Sequence, residues 1–270
     1  NDLTKCFWEF YKRPKSGEHR VQINKLSLKS SDPFGVNLKS ISLNILRGEV
    51  VGIAGVAGNG QNELMAALSG EVIQSFPNDS IVFDDICVAG MRVSERRAMG
   101  ACFVPEERYG HAAIKEMSLK DNALLTSSKS INLVKKGLLQ FDAINDLTEK
   151  IIFDFDVRTT GSKMESGSLS GGNLQKFILG REILQEPGIL IISQPTWGVD
   201  AGAALVLRKS LLELAARGCA VLIISQDLDE IFEICDRIAV LYQGTLSALM
   251  NKETVSIDQI GLLMGGGNGE

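Results

Sequence analysis

Histidine is nearly absent from this chain. Its 270 residues hold two, and the five cysteines (Cys6, Cys87, Cys102, Cys219, Cys235) include no Cys-x-x-Cys pair. Such a composition leaves no basis for a His- or Cys-built metal centre or a disulfide framework; scattered single cysteines read as small core hydrophobes in a reducing compartment. An excess of positive charge is missing too. Lys+Arg number 28 against 33 Asp+Glu, a net charge of −5, whereas nucleic acid calls for a basic face, so it is not expected as a partner. No apolar run approaches the roughly 18 residues of a membrane span. Residues 1–20 are charged and broken by Pro14 and Gly17, unlike a secretion signal. What remains, with 44% hydrophobic and 23% charged residues, is an ordinary globular composition with room for one large domain or two small ones. The missing initial Met is expected of a piece of a longer protein.

The pattern along the chain alternates strands and helices. Residues 1–20 read as a linker arm carrying Phe7, Trp8, Phe10 and Tyr11, expected to dock on a neighbour. Val21, Ile23, Leu26 and Leu28, then Ile41, Leu43 and Ile45, give strand periodicity. The continuous apolar strand 50–54 runs into a glycine-rich loop and a helix from about Gln61 to Gly70. Short strands follow at 81–83 and 102–104, and residues 118–156 are mostly helical, with Ile144, Leu147, Ile151 and Phe155 at helical spacing. Gly and Ser punctuate 161–172, and a helix then carries Leu174, Phe177, Ile178 and Leu184. Residues 189–192 form an apolar strand of the kind buried on both faces of a parallel sheet. A helix over 202–217, a strand over 220–224, and a capping box from Asp227 and Glu230 follow. Strands at 238–242 and 246–249 and a helix at 257–264 complete the pattern, with 265–270 expected as a disordered tail. This order predicts a parallel α/β sheet.

Three segments carry chemistry. The first is Gly55-Val56-Ala57-Gly58-Asn59-Gly60-Gln61-Asn62 between strand and helix. Its glycines have the spacing of a phosphate-binding loop, in which successive N–H groups converge on an anion at a helix N-terminus. The Lys of that pattern is Gln61, and the Mg²⁺-binding hydroxyl is Asn62. Gln61 can donate a hydrogen bond to a phosphate but brings no charge. The second is Leu169-Ser170-Gly171-Gly172-Asn173 at the start of a helix, which offers a hydroxyl, bare amides and a positive dipole end. The third is the apolar strand leading into Ser193-Gln194-Pro195-Thr196-Trp197-Gly198-Val199-Asp200.

In this order and spacing, the segments resemble the glycine loop, signature motif, Walker B strand and D-loop of ABC transporter ATPases over roughly residues 21–264. The glycine loop, Pro105-Glu106-Glu107-Arg108 and Gln194-Pro195-Thr196 are most similar to the C-terminal ATPase half of tandem ATP-binding subunits in the ribose and nucleoside importer group. That group usually has Pro-Glu-Asp-Arg in the segment where the Q-loop (Pro105, Glu106) belongs, so Glu107 departs from it; Trp197 stands where Arg is more usual. The resemblance implies a P-loop ATPase core with a mainly parallel sheet, an antiparallel β subdomain and an α-helical subdomain. It divides the chain into an arm (1–20), the β subdomain with the first part of the core (21–116), the helical subdomain (117–168) and the rest of the core (169–264).

Five positions depart from the family pattern. Gln61, Asn62, Ser193, Gln194 and Gln226 stand where the family places Lys, Ser or Thr, the metal-binding Asp, the water-polarising Glu and the switch His. Phosphoryl transfer depends on positioning and charge neutralisation, and one lost stabiliser typically costs ~3 kcal/mol. The chain's own site is therefore expected not to cleave ATP, to bind it weakly or without Mg²⁺, and to hold no metal. Its intact signature and Asp200 are expected to complete the site of a competent ATPase half fused upstream, with Mg²⁺ bound only there. The resemblance further implies two transmembrane permease subunits contacted by the helical subdomain, an extracytoplasmic solute-binding protein, and a peripheral place on the cytoplasmic membrane face. An active ATPase with unusual residues and a nucleotide-independent scaffold are the alternatives. A P-loop kinase or GTPase fits neither the signature nor the absence of a charged phosphate clamp.

Overall fold

The computed structural model describes residues 17–74, 79–128, 131 and 133–267. The aromatic arm and Cys6 lie outside them. Strands β1 (His19–Leu28), β2 (Leu38–Leu46), β4 (Ile81–Phe83) and β5 (Ile86–Cys87) form an antiparallel sheet in the order β2-β1-β4-β5. Strict alternation from Val21 and Ile23 on β1, and from Ile45, Leu43 and Ile41 on β2, would turn Leu26 and Leu38 outward. Lys25 and Ser40 prevent this by adopting left-handed conformations (φ 49° and 53°), and the bulges bring Leu26 and Leu38 back inside.

The second sheet contains β3 (Val50–Ala54), β6 (Ala101–Val104), β9 (Ile189–Ser193), β10 (Ala220–Ser225), β11 (Arg237–Tyr242) and β12 (Thr245–Leu246), in the order β12-β11-β3-β10-β9-β6. The strands from β11 to β6 are parallel, while β12 and β13 (Met250–Asn251) pair antiparallel with β11. Strands β3, β9 and β10 are buried at every residue, as expected for a sheet covered on both faces. Helix α1 (Gln61–Ser69) packs between one face and the antiparallel sheet through Leu64 and Leu68. Helices α5 (Gly171–Ile183), α6 (Ala201–Ala216) and α7 (Leu228–Ile234) cover the other face, and α8 (Ile257–Met264) lies beside β11.

Helix α2 (Val93–Ala98), a short element the sequence pattern does not reveal, precedes β6. Helices α3 (Leu119–Ser127) and α4 (Phe141–Asp154) make the helical layer, and both pack on α5. Gly180 in the last turn of α5 lets this layer approach: a Cβ there would lie 2.5 Å from the Phe155 ring.

Other expectations need correction. The run 118–156 is mostly helical as expected, but β7 (Val134–Lys135) and β8 (Leu138–Leu139) interrupt it with a hairpin whose turn residues Lys136 and Gly137 are both left-handed. The strand expected at 246–249 ends at Leu246; Ser247 still donates its N–H to Val240 O of β11 at 2.9 Å, and the ladder resumes at β13. Asp227 caps α7 by accepting the Glu230 N–H at 3.1 Å, but Glu230 does not return the bond; its buried carboxyl accepts the Ser225 hydroxyl at 2.9 Å instead. Cys102, Cys219 and Cys235 are core residues, and burial pushes the Cys219 thiol up to about 12; Cys87 is exposed because β5 is an edge strand. Gly265 and Gly267, assigned to the tail, donate back to Leu262 and close α8.

A buried ionic cluster joins the layers. Glu182 near the end of α5 binds Arg97 of α2 at 2.7 Å and the neighbouring Arg181 at 2.8 Å. Arg181 also donates to the carbonyls of Asn122 in α3 and Ala112, and Arg97 donates to Phe103 O in β6. Burial alone would raise the Glu182 pKa; the two guanidinium groups overcome it and hold the carboxyl at about 2. A folded-state pKa below the unfolded value contributes stability above about pH 4.5, which disappears as pH falls toward 2. A shift of this size corresponds to about 3 kcal/mol. Glu182→Gln should therefore lose about 3 kcal/mol at pH 7, with a smaller deficit at pH 3, as urea unfolding of both proteins at the two pH values will measure.

Candidate functional site

The glycine loop begins where β3 leaves the sheet. Gly58 and Gly60 have φ of 81° and 110°, so a side chain at either position would be strained. Asn59 anchors the loop between them: its Nδ2 donates to Val56 O at 2.8 Å, its Oδ1 accepts the Gln243 N–H at 2.8 Å, and its carbonyl accepts the Gly244 N–H at 2.9 Å. Helix α1 starts at Gly60 with no side-chain cap, so its first-turn N–H groups face the loop. At its far end, fully buried Arg96 donates to Ala67 O and Leu68 O at 2.6 and 2.7 Å; burial lowers its pKa to about 10, still cationic at neutral pH.

Gln61 folds into the loop. Its Nε2 donates to Val56 O at 2.8 Å, its Oε1 accepts the Asn59 N–H at 3.0 Å, and it is only 7% exposed. A Cβ on Gly55 would lie 2.7 Å from that Nε2. The side chain at the lysine position thus satisfies the loop from inside and takes one of the amides a phosphate would use.

A cavity of about 170 Å³ opens in front of the loop, bounded by Gly58, Gly60, Gln61 and Asn62. Glu106, Gln194 and Gln226 close it from three other segments, so the fold gathers most of the positions singled out in the sequence. Five of its residues belong to none of the motifs: Asp32, Phe34, Gly35, Val36 and Glu63. Phe34 is 95% exposed at the mouth. Glu63 holds its loop against α1 by accepting the Val36 N–H at 2.9 Å and the Ser30 hydroxyl at 3.2 Å. A lone aromatic in an Asp-Pro-Phe-Gly turn was the available clue.

The main-chain cradle fits a phosphate, but the lining charge does not. Asp32, Glu63 and Glu106 line the cavity, and no Lys or Arg does. Burial pushes the Glu106 carboxyl up. The Mg²⁺-binding positions hold the amide of Asn62 and the hydroxyl of Ser193; Ser193 Oγ is buried and makes no hydrogen bond among the described residues. A hard divalent cation favours carboxylate ligands, so this donor set does not fit Mg²⁺. Gln194 (φ 50°) bonds through its N–H to Ile224 O at 2.8 Å, and its Oε1 accepts a longer bond from Gln226 N–H at 3.4 Å.

Leu169–Asn173 and Asp200 form a separate group. Ser170 caps α5, with its hydroxyl 3.0 Å from Asn173 Nδ2, and Asn173 Oδ1 accepts the Arg158 N–H at 3.0 Å. Gly172 packs on the D-loop, where a Cβ would lie 2.6 Å from Gly198 O. Asp200 caps α6; the bond from Ala203 N–H at 2.9 Å holds its exposed carboxyl below the usual range. A second cavity, about 420 Å³, separates this group from the Glu106–Arg108 segment, and Glu106 and Gln194 line both cavities. Pro105 faces a third, with Glu107 and His111.

A parallel sheet with a glycine loop at a strand end, a helical layer and a helix-capping Ser-Gly-Gly turn defines a nucleotide-binding cassette. A family model described as ABC transporter matches residues 38–197, and the chain belongs to that family. It is 37% identical over 248 residues, 92% of its length, to the nucleoside import ATP-binding protein NupA of Lactococcus lactis subsp. cremoris (strain MG1363), covering 48% of that protein. It is 35% identical over 93% of its length to the guanosine import ATP-binding protein NupO of Bacillus subtilis (strain 168), again covering 48%. The chain thus spans about half the length of the curated relatives it matches. Its fold is that of solved ABC cassettes: an ATP-binding subunit of an ABC transporter superposes with TM-score 0.73 at 20% identity, covering 91% of this chain and 99% of that one. A nucleotide-free cassette superposes at 0.66 with 22% identity, covering 86% and 91%. No helix among the described residues is long and apolar enough to cross a membrane.

The bonds made by Gln61 compete with any phosphate for the loop. Replacing Gln61 with Ala is expected to tighten ATP binding about tenfold, the worth of one or two hydrogen bonds. Calorimetric titration of the two proteins is the check, and equal or weaker binding by the variant would contradict it.

Proposed function

We propose that this chain is a nucleotide-binding domain of an ABC importer for nucleosides or simple sugars, that its own site is deficient in hydrolysis, and that it supplies its signature to a competent partner half. One observation carries the reading: an intact signature caps α5 beside a glycine-loop cavity lined by carboxylates and amides. The residues at and beside that cavity lack functions that phosphoryl transfer needs. Gln61 brings no cation, Asn62 and Ser193 bring no metal-binding charge, and Gln194 and Gln226 are neutral amides with no basic group to act on water.

In this reading ATP is sandwiched between the partner's glycine loop and the Ser170–Gly172 turn, where the open end of α5 faces its terminal phosphate. Asp200 reaches toward the same place from the D-loop. Nucleotide in the chain's own cavity binds weakly, with its base against the exposed Phe34 ring and without Mg²⁺. That the relatives are import ATP-binding proteins supports permease partners; the reading adds contact through the helical layer, a solute-binding protein and a place on the cytoplasmic membrane face.

The test uses the chain assembled with the competent half. Ser170→Arg should lower ATPase activity at least about 100-fold, as removal of preorganised transition-state donors does. Gln194→Ala should change activity less than about twofold, since that residue stands in the silent site. Unchanged activity in Ser170→Arg would refute the reading, as would Mg²⁺-dependent turnover by the isolated chain.

A further inference from the structure

Arg108 has no part in the site as described so far, yet it touches three of its segments. Its Nε donates to Gln175 Oε1 at 2.8 Å, reaching the second turn of α5. Its Nη2 donates to the carbonyl of Trp197, in the turn between β9 and α6. Its Nη1 stands beside the signature, 2.9 Å from where a Cβ on Gly171 would be. Gln175 is buried and extends the network, donating to Gln194 O at 3.3 Å and Pro195 O at 3.1 Å. Burial lowers the Arg108 pKa without bringing an acid to it: no carboxylate pairs with Arg108 among the described residues. The guanidinium is therefore used as a fork that joins main chain and amides rather than as half of an ion pair. A planar fork fixes relative orientation in a way that one ammonium group does not.

These bonds join the segment after β6, the first turns of the signature helix and the start of the D-loop. Glycines at 171 and 198 leave room for the guanidinium; a Cβ on Gly198 would be 3.4 Å from Nη2. We propose that Arg108 is a positioning residue that fixes the signature and the D-loop relative to each other, and so sets the geometry that this chain presents to ATP bound by the opposing half. The inference rests on the reading above, in which the signature acts in trans. It adds that the signature is held from the Pro105–Arg108 side, through Gln175, and not by its own helix cap alone.

The experiment measures steady-state ATPase of the assembled complex with Arg108→Gln, Arg108→Lys and, as reference, Ser170→Arg. Misplacing a signature by a fraction of an ångström should lower kcat about tenfold or more. KM for ATP should stay within about twofold, because the partner's glycine loop makes most of the binding contacts. Arg108→Lys keeps the charge and most of the stem, so it folds if Arg108→Gln does not, and it should show the same kcat loss because an ammonium cannot bridge Gln175 and Trp197 together. Wild-type kcat in Arg108→Lys, or a raised KM at unchanged kcat in either variant, overturns the inference. If Ser170→Arg abolishes activity while Arg108→Gln retains it, the inference alone fails. If Ser170→Arg is also without effect, the trans-acting signature fails, and this role with it.

Discussion

One buried carboxylate, Glu182, holds the parts of this molecule that matter for function in a single frame. It sits between Arg97 and Arg181 with no solvent contact, and through them it ties α5 to α2, β6, α3 and the Ala112 segment. Removing one member of such a cluster strands buried charge, at about 3–5 kcal/mol. The consequence is directional. Helix α5 is clamped at its C-terminal end, by this cluster and by Phe155 packed against Gly180, while its N-terminal end carries the signature. The cluster makes α5 a rigid mount, and Arg108 trims the orientation of what is mounted.

The glycine loop follows a different logic. Its main chain has the conformation of a phosphate cradle, enforced by Gly58 and Gly60 and pinned by Asn59 to the β11–β12 turn. The charge around it runs the other way, with three acids and no base at the cavity. Arg96 neutralises the carbonyl end of α1 at Ala67 and Leu68, about 10 Å along the axis from Gln61. It stabilises the helix without helping an anion at the opposite end. Into that electrostatic vacancy the chain has placed Gln61, whose amide satisfies a donor and an acceptor at once.

Much of this was legible in the sequence because it is local. Periodicity located the buried strands, and glycine spacing located the loop and the signature turn, since left-handed φ and close approach demand glycine wherever the fold sits. The misses are non-local. Asn59 meets Gln243 from 184 positions away, and no spacing rule foretells it. Glu230 was read as half of a capping box, yet its carboxyl turns to Ser225 because both are buried at the end of β10. Phe34 gains meaning only when Glu63 draws its loop over α1. The β7–β8 hairpin hides in a helical stretch because two-residue strands leave almost no periodic trace.

The intact signature does not by itself establish a role, because its glycines have packing reasons to persist. Gly172 is required by Gly198 O, Gly171 by the Arg108 guanidinium, and Ser170 serves as an ordinary helix cap. What separates the two halves of the site is the distribution of charge over the same scaffold. Among the residues bounding the glycine-loop cavity and the signature cavity, the one Lys or Arg side chain is Arg108, and it stands on the signature side. Glu106 and Gln194 form the shared wall and carry no positive charge to the loop. A polyphosphate approaching this chain therefore meets carboxylates and a filled cradle at its own loop, whereas at the signature a helix N-terminus and a fixed guanidinium stand beside Glu106 and Glu107. The asymmetry of the proposed function is in that sense electrostatic before it is catalytic, and it follows from the placing of Arg108 on the signature side of the shared wall.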